Sequence, residues 1–399
     1  MTKTTFILSA CFALGATSTL SACSRTETAL IDEGEAAAAQ ETTPPTDTQV
    51  QRIQPTPPLQ NPRAQTAAQL KTPAQLQQQA RPVSQQVSPV PRPERTPFTM
   101  RRCMNMGNAL EAPNEGDWGY TIRAQDFRAV ATAGFDTVRI PIRWDAHTAH
   151  RAPYKIDPAF MARVKQVTND AQAAGLGVII NVHHYEDLMV QTNRHEARYL
   201  AIWGQISEEF ADAPDNVYFE LLNEPTLDMS PARLNALYAK TVPLIRKTNP
   251  ARKLIMGGNS WNSVEALAGV RFPDDPNIVA TFHDYGPHNF THQGAAWMNP
   301  VPPMGRKWGD REDEAELDMT YTAAKAFAKR TGLPILVGEF GVIDTVPQKQ
   351  RNQWTKRRRM AMEANGYAWC AWDFSGAFKS YDTQAERWLP GAVYALTAR

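Results

Sequence analysis

Two glutamates stand where they could do chemistry. Glu224 closes the run Phe219-Glu220-Leu221-Leu222-Asn223 and is followed by Pro225, which stops a strand at that point and starts a loop. Glu339 sits between Gly338 and Phe340-Gly341, with small glycines nearby that leave room for a bound molecule. Two carboxyl groups facing each other across a cleft are what cleavage of a glycosidic bond requires: one protonates the departing oxygen and the other attacks the anomeric carbon. Taken singly, each is equally readable as a salt-bridge partner or a loop cap. Glu220 shares strand parity with Glu224 but lies four residues earlier, so it reads as a structural carboxylate paired inside the fold.

The elements that must hold such a pair follow from the pattern of the chain after Arg101. Short apolar, often β-branched runs occur at 102–107, 137–142, 177–183, 217–222, 253–257, 278–282, 335–338 and 367–372. Amphipathic stretches such as 124–133, 159–174, 234–247 and 319–329 separate them. Eight strands alternating with helices predict an α/β fold of the parallel (β/α)8, or TIM, barrel type. An open doubly wound sheet is the rival, but no G-x-G-x-x-G or Walker-type loop follows any run.

In a barrel the functional side chains gather where the strands end. This sequence puts Asn108 and Glu111 after the first run, and Arg139, Arg143 and Trp144 at the second. His183, His184 and Tyr185 follow at the third, Asn223 and Glu224 at the fourth, and Asn259 and Trp261 at the fifth. His283 and Tyr285 come at the sixth, Glu339 at the seventh, and Trp372 and Asp373 at the eighth. Polar and aromatic residues thus collect at one rim.

Taken together, these segments resemble glycoside hydrolase family 5. The resemblance rests on Val138-Arg139-Ile140-Pro141, His183-His184, Asn223-Glu224-Pro225, His283 with Tyr285, Gly338-Glu339-Phe340-Gly341 and Trp372, in the family's order across the whole domain. Gly107-Asn108-Ala109-Leu110-Glu111-Ala112-Pro113, Asn181-Val182-His183-His184-Tyr185-Glu186 and Phe290-Thr291-His292-Gln293-Gly294-Ala295 resemble its bacterial endoglucanases with activity on β-1,4-glucans and, in some members, β-mannans. The resemblance implies a retaining double displacement with Glu224 as acid/base and Glu339 as nucleophile, and no cofactor or metal. It further implies that Arg139 and Tyr285 bond Glu339, that Asn223 holds the sugar 2-hydroxyl, that His283 shares the subsite, and that Trp372 stacks on a pyranose. At least one of His183 and His184 is expected to touch the sugar, with Asn108, Glu111, His292 and Trp297 as outer contacts. The sequence departs from the family pattern at Asp284 and Gly286-Pro287-His288, which leaves the shape of that wall open. The substrate is expected to be a β-1,4-glucan, with β-1,4-mannan or glucomannan as the alternative.

Two readings from other classes compete. A metal-dependent barrel hydrolase would draw ligands from His183, His184, His283, Asp284, His288 and His292, but the His-x-His pair typical of a first barrel strand is missing. A non-catalytic glycan-binding lipoprotein would keep the aromatic platform and lose a carboxylate, and both carboxylates are present.

The first quarter of the chain is of another kind. Residues 1–22 carry Lys3, an apolar stretch and small residues ending in Leu20-Ser21-Ala22 before Cys23, which reads as a bacterial lipoprotein signal with Cys23 as the acylated residue. Ser24 in place of Asp favours the outer membrane, by resemblance to bacterial lipoproteins. Residues 23–97 follow as a tether: residues 24–97 hold twelve prolines and no Phe, Trp or Tyr, too little apolar surface to fold. Its reach is roughly 45 Å for a flexible chain. Residues 98–399 are then the catalytic domain, expected to act as a monomer. A net charge of +1 argues against nucleic acid as a partner. Cys103 and Cys370 fall in the first and last strands, which a barrel makes neighbours; a bridge is conceivable, but buried free thiols are the favoured expectation.

Overall fold

The computed structural model describes residues 96–398, so the expected signal, Cys23 and the tether up to residue 95 lie outside the described residues. Strands β1 (Arg102–Asn105), β2 (Thr137–Ile140), β3 (Gly177–Asn181), β4 (Val217–Glu220), β5 (Leu254–Gly257), β6 (Ile278–His283), β7 (Ile335–Phe340) and β8 (Ala368–Ala371) pair in parallel and close into one barrel. All eight expected strands form. Several end earlier than the apolar pattern suggested: β3 stops at Asn181, so His183 and His184 already belong to the loop. Strand β7 runs longer and takes Glu339 inside it.

The main crossover helices are α1 (Ala124–Thr132), α2 (Pro158–Ala173), α3 (Thr192–Glu209), α4 (Pro231–Arg246), α5 (Arg311–Thr331) and α6 (Gln348–Ala364). Local chemistry sets their ends. Asp157 and Ser230 accept backbone N–H groups at the starts of α2 and α4, each just before a proline at the first helical position. Helix α5 opens on Asp310 in a capping box and closes on Gly332 at φ 69°, a left-handed conformation that glycine adopts without a Cβ clash. Helix α3 also pins the end of β4: Tyr199 Oη and Trp203 Nε1 both donate to the Leu221 carbonyl, at 2.8 and 3.0 Å.

Strand alternation divides the core in two. Val138, Ile140, Val178, Ile180, Phe219, Met256, Phe282 and Val337 point outward and pack with the helices in one large apolar cluster. Their strand neighbours Cys103, Ile179, Tyr218, Ile255, Val279, Leu336 and Cys370 form a second cluster inside the barrel. Two residues further along each strand, the same inward parity gives Asn105, Asn181, Glu220, Gly257, Thr281 and Gly338. The barrel therefore has an apolar floor and a polar layer above it, toward the strand ends.

One expectation is corrected here. Cys103 and Cys370 are joined by a disulfide rather than being free thiols. They are directly opposed in the register of β1 and β8, with Cα atoms 4.1 Å apart, and both side chains face the barrel interior. The bond ties the first strand to the last across 267 residues of chain. Because such a link restricts the unfolded chain, reduction or Cys370→Ser is expected to cost about 2–4 kcal/mol of stability. The check is the denaturant midpoint with and without reductant, which should fall in the wild type and stay unchanged by reductant in the variant.

Candidate active site

The polar layer is organised by Arg139, which is fully buried on β2. All five of its N–H donors are used. Nε and Nη2 clasp Glu220 at 2.5 and 2.8 Å, Nη2 also donates to Asn223 Oδ1 at 2.6 Å, and Nη1 donates to Asn105 Oδ1 at 2.9 Å and Glu339 Oε1 at 2.7 Å. Asn105 is locked in turn by its donation to the Gly338 carbonyl at 3.1 Å. Burial alone would pull the Arg139 pKa down, but Glu220 and Glu339 together hold it above its ordinary value, so the guanidinium stays charged. Glu220 is the paired structural carboxylate that its strand parity suggested.

Glu339 reaches this layer through an irregularity. Leu336 and Gly338 face the interior, so strict alternation would turn residue 339 outward. The register of β7 against both β6 and β8 shifts around this point, and Phe340 packs on the helix side. A bulge of this kind re-aims a side chain, here the Glu339 carboxylate into the barrel mouth. Its second oxygen accepts the Tyr285 hydroxyl at 2.9 Å. Burial raises its pKa, while His283, Arg139 and the Tyr285 hydrogen bond act to lower it.

Glu224 projects from the β4 loop with φ at 42°, one of a group of non-glycine residues with left-handed backbone at this rim, including Asn108, His184 and Trp261. Strained backbone of this kind concentrates where side chains must be aimed. The Glu224 side chain is about a quarter exposed, and its Oε1 lies 2.7 Å from His283 Nδ1. Burial pushes its pKa up to about 7, against the pull of Arg139. Burial lowers the pKa of His283, against the pull of Glu339. One ligand-type atom each from Glu224, His283 and Glu339 lie within 4.8 Å of one another.

Among the described residues this trio is also the one group of three that could share a metal ion. The six-residue ligand set drawn from sequence does not assemble. Asp284 faces away from the cleft, where Arg358 donates to both its oxygens at 3.0 and 3.1 Å and the Tyr321 hydroxyl donates at 2.7 Å. Arg358 and Trp354 also hold the Gly286 carbonyl. The departure at Asp284 and Gly286 is thus an anchor for the segment that carries Tyr285.

The remaining expected residues line the rim. Trp372 is partly buried and stacks parallel to the His183 ring, with centroids 6.0 Å apart. His183 is buried and bonded to Asn181, whereas the half-exposed His184 stands edge-on to both His183 and Trp118. Burial lowers the His184 and His292 pKa values to about 4. Asn108 donates to Asp373 Oδ2 at 2.5 Å. Glu111 is placed behind it and buried, with its two oxygens taken by the backbone N–H groups of Asn108 and Ala109. Its carboxylate serves the loop rather than the open cleft. His292 and the exposed Trp297 both pack near Phe378. Asn105 and Asn181 are part of the assembly and were not singled out as site residues from sequence, and Asp373, placed at the rim from sequence, was given no role there. Inward strand parity was the available signal for the two asparagines.

The sequence profile of Cellulase (glycosyl hydrolase family 5) matches residues 101–378. Endoglucanase H of Acetivibrio thermocellus is 37% identical over 290 residues, covering 72% of this chain and 31% of that protein. Endoglucanase A of Ruminococcus albus is 30% identical over 308 residues, covering 70% and 83% respectively. The crystal structure of endoglucanase Cel5A from the hyperthermophilic Thermotoga maritima aligns with a TM-score of 0.72 at 39% identity, over 74% of this chain and 96% of that one. The chain thus spans about a third of the length of the Acetivibrio protein.

Replacing the guanidinium by an apolar group, Arg139→Met, strands Glu220 and Glu339 as buried carboxylates without their cation, at an expected cost of about 3–5 kcal/mol. Without Arg139 to lower it, the already raised pKa of Glu339 rises further in the folded state, so stability is lost as pH climbs through that raised value. Urea unfolding should show a larger deficit at pH 8 than at pH 5.

Proposed function

Because the chain belongs to glycosyl hydrolase family 5, we propose that it is a retaining, endo-acting β-1,4-glucanase with Glu339 as nucleophile and Glu224 as acid/base. The observation that carries this reading is the approach of the Glu224 and Glu339 oxygens to within 4.8 Å. Retaining enzymes hold their carboxyl groups about 5–5.5 Å apart, whereas inverting ones separate them by about 6.5–9.5 Å to admit a water.

In the first step Glu339 attacks the anomeric carbon while the proton of Glu224 passes to the glycosidic oxygen, and the departing chain leaves with it. Arg139 and Tyr285 bond the two oxygens of Glu339 and keep it ionised and aimed. Esterification removes the charge on Glu339, which lets Glu224 ionise. Glu224 then takes a proton from water, and the resulting hydroxide frees the sugar from the ester. Asn223 is turned toward the same subsite by Arg139, where it holds the 2-hydroxyl. Trp372 supplies the stacking face, one of His183 and His184 supplies a polar contact, and Asn108, His292 and Trp297 reach outer sugars. One chain carries the whole set, in keeping with a monomer.

β-1,4-Mannan is the second substrate class, supported by the Thermotoga maritima Cel5A structure in complex with mannotriose, 38% identical to this chain. Glucose and mannose differ at the 2-hydroxyl, beside Asn223 and His283. We also propose that Cys23 is acylated and that residues 23–97 tether the domain to the outer membrane, on the strength of the Leu20-Ser21-Ala22-Cys23 sequence.

Glu224→Gln and Glu339→Gln should each lower reducing-end release by roughly two to four orders of magnitude with folding intact. The comparison runs on carboxymethylcellulose, barley β-glucan, glucomannan and galactomannan, and near-normal turnover in either variant overturns the assignment. Since Glu224 must enter protonated, kcat/KM should fall as pH rises through about 7. A limb far from there would separate the acid from this residue. Cells fed labelled palmitate should label the wild type; label retained by Cys23→Ala rejects the anchor.

A further inference from the structure

The loop after β5 is built in a way the two-carboxylate mechanism does not account for. Ser260, Trp261 and Asn262 are three consecutive non-glycine residues at φ 54°, a conformation that L-residues avoid in series. The Trp261 N–H is fastened to the Pro225 carbonyl, next to Glu224. The consequence of this turn is that the Asn262 side chain points inward and is fully buried. Gly257 makes space for it, since a Cβ there would stand 2.2 Å from Asn262 Oδ1. Asn262 Nδ2 faces His283 Nε2 at 3.4 Å, while Oδ1 has no hydrogen-bond partner among the described residues. The carboxamide thus spends its hydrogen bonding on the imidazole alone, and a buried polar atom left unmatched calls for a reason.

The other side of the same ring is crowded with acceptors. His283 Nδ1 lies 2.7 Å from Glu224 Oε1 and 3.6 Å from Glu339 Oε2. Two acceptor oxygens converging on Nδ1, Glu224 Oε1 with its proton on Oε2 and Glu339 Oε2, favour the single proton of a neutral imidazole there, which leaves a lone pair on Nε2 that needs a donor. The Asn262 amide supplies it.

We propose that Asn262 is a positioning residue for acid catalysis, fixing His283 as the Nδ1–H tautomer so that it donates to Glu224 Oε1 and never accepts the acid's proton. The inference rests on the assignment of Glu224 as acid/base. With Nδ1 committed as a donor, the proton of Glu224 is confined to Oε2, the oxygen left to face the glycosidic bond. In the second step the same Nδ1–H bond supports the carboxylate while Oε2 receives a proton from water. If Nε2 lost its donor, the ring proton could settle there instead. Nδ1 would then accept the Glu224 proton through a short hydrogen bond, and the leaving oxygen would depart unprotonated.

Leaving-group dependence separates this role from a structural one. A 2,4-dinitrophenolate departs without protonation, whereas the glucosyl oxygen of cellotetraose requires it. Asn262→Leu should lower kcat/KM on cellotetraose roughly tenfold to a hundredfold, and on 2,4-dinitrophenyl β-cellobioside by no more than about twofold. Glu224→Gln, the control, should show the same selectivity. If it does and Asn262→Leu loses both activities equally, or neither, the Asn262 role is overturned alone; if Glu224→Gln shows no selectivity, the acid assignment falls and takes this role with it. The tautomer itself is read in the wild type by nitrogen-15 NMR of labelled histidine, with His283 assigned by its loss in His283→Gln. A proton on Nδ1 supports the proposal, and a proton on Nε2 overturns it.

Discussion

A single cation held out of water fixes the geometry of the barrel mouth. Arg139 is enclosed by Glu220, Asn105, Asn223 and Glu339, with each N–H directed at a separate acceptor. A buried ion pair contributes little net stability, because desolvation offsets most of the attraction. Its value here is directional. The planar guanidinium fork allows one arrangement of three strands' worth of side chains, and that arrangement brings Glu339 to the cleft with one oxygen bonded to the cation. Glu220, from strand β4, is therefore a necessary counterweight: with one carboxylate on each side, neither side of the cation is left without charge.

Around this centre the protein sorts three carboxylates by environment rather than by type. Glu220 is sealed against the guanidinium, Glu339 is tied on both oxygens, and Glu224 is held by one imidazole contact and stays open to the cleft. Burial raises Glu224 to about 7, while Glu339 gains compensation from His283, Arg139 and Tyr285. Two glutamates of equal intrinsic acidity thereby sit in different surroundings, although burial raises both.

The strands, their order and the rim residues were legible because parallel barrels write each strand as a short apolar run and each functional residue at its end. That rule, together with the family likeness, placed Arg139, Asn223, His283, Tyr285 and the two glutamates at the rim, where the structure brings them together. What stayed hidden depends on departures from regular periodicity. The bulge that turns Glu339 inward leaves no mark in a run of Ile335-Leu336-Val337-Gly338, and alternation alone would have sent the side chain out. The Cys103–Cys370 bond depends on a register that composition does not specify. Asn262 lies on a turn whose left-handed backbone no propensity announces, because Ser, Trp and Asn in sequence carry no glycine.

The covalent link between β1 and β8 has a topological outcome. The barrel is a ring of strands whose first and last members are normally held together only by hydrogen bonds and packing. Here the backbone from Cys103 to Cys370 and the sulfur bridge together make a closed covalent circuit that runs through all eight barrel strands. A single proteolytic cut in any surface loop within that circuit opens the circle without releasing a fragment. Such a nicked molecule keeps both of its pieces on one leash.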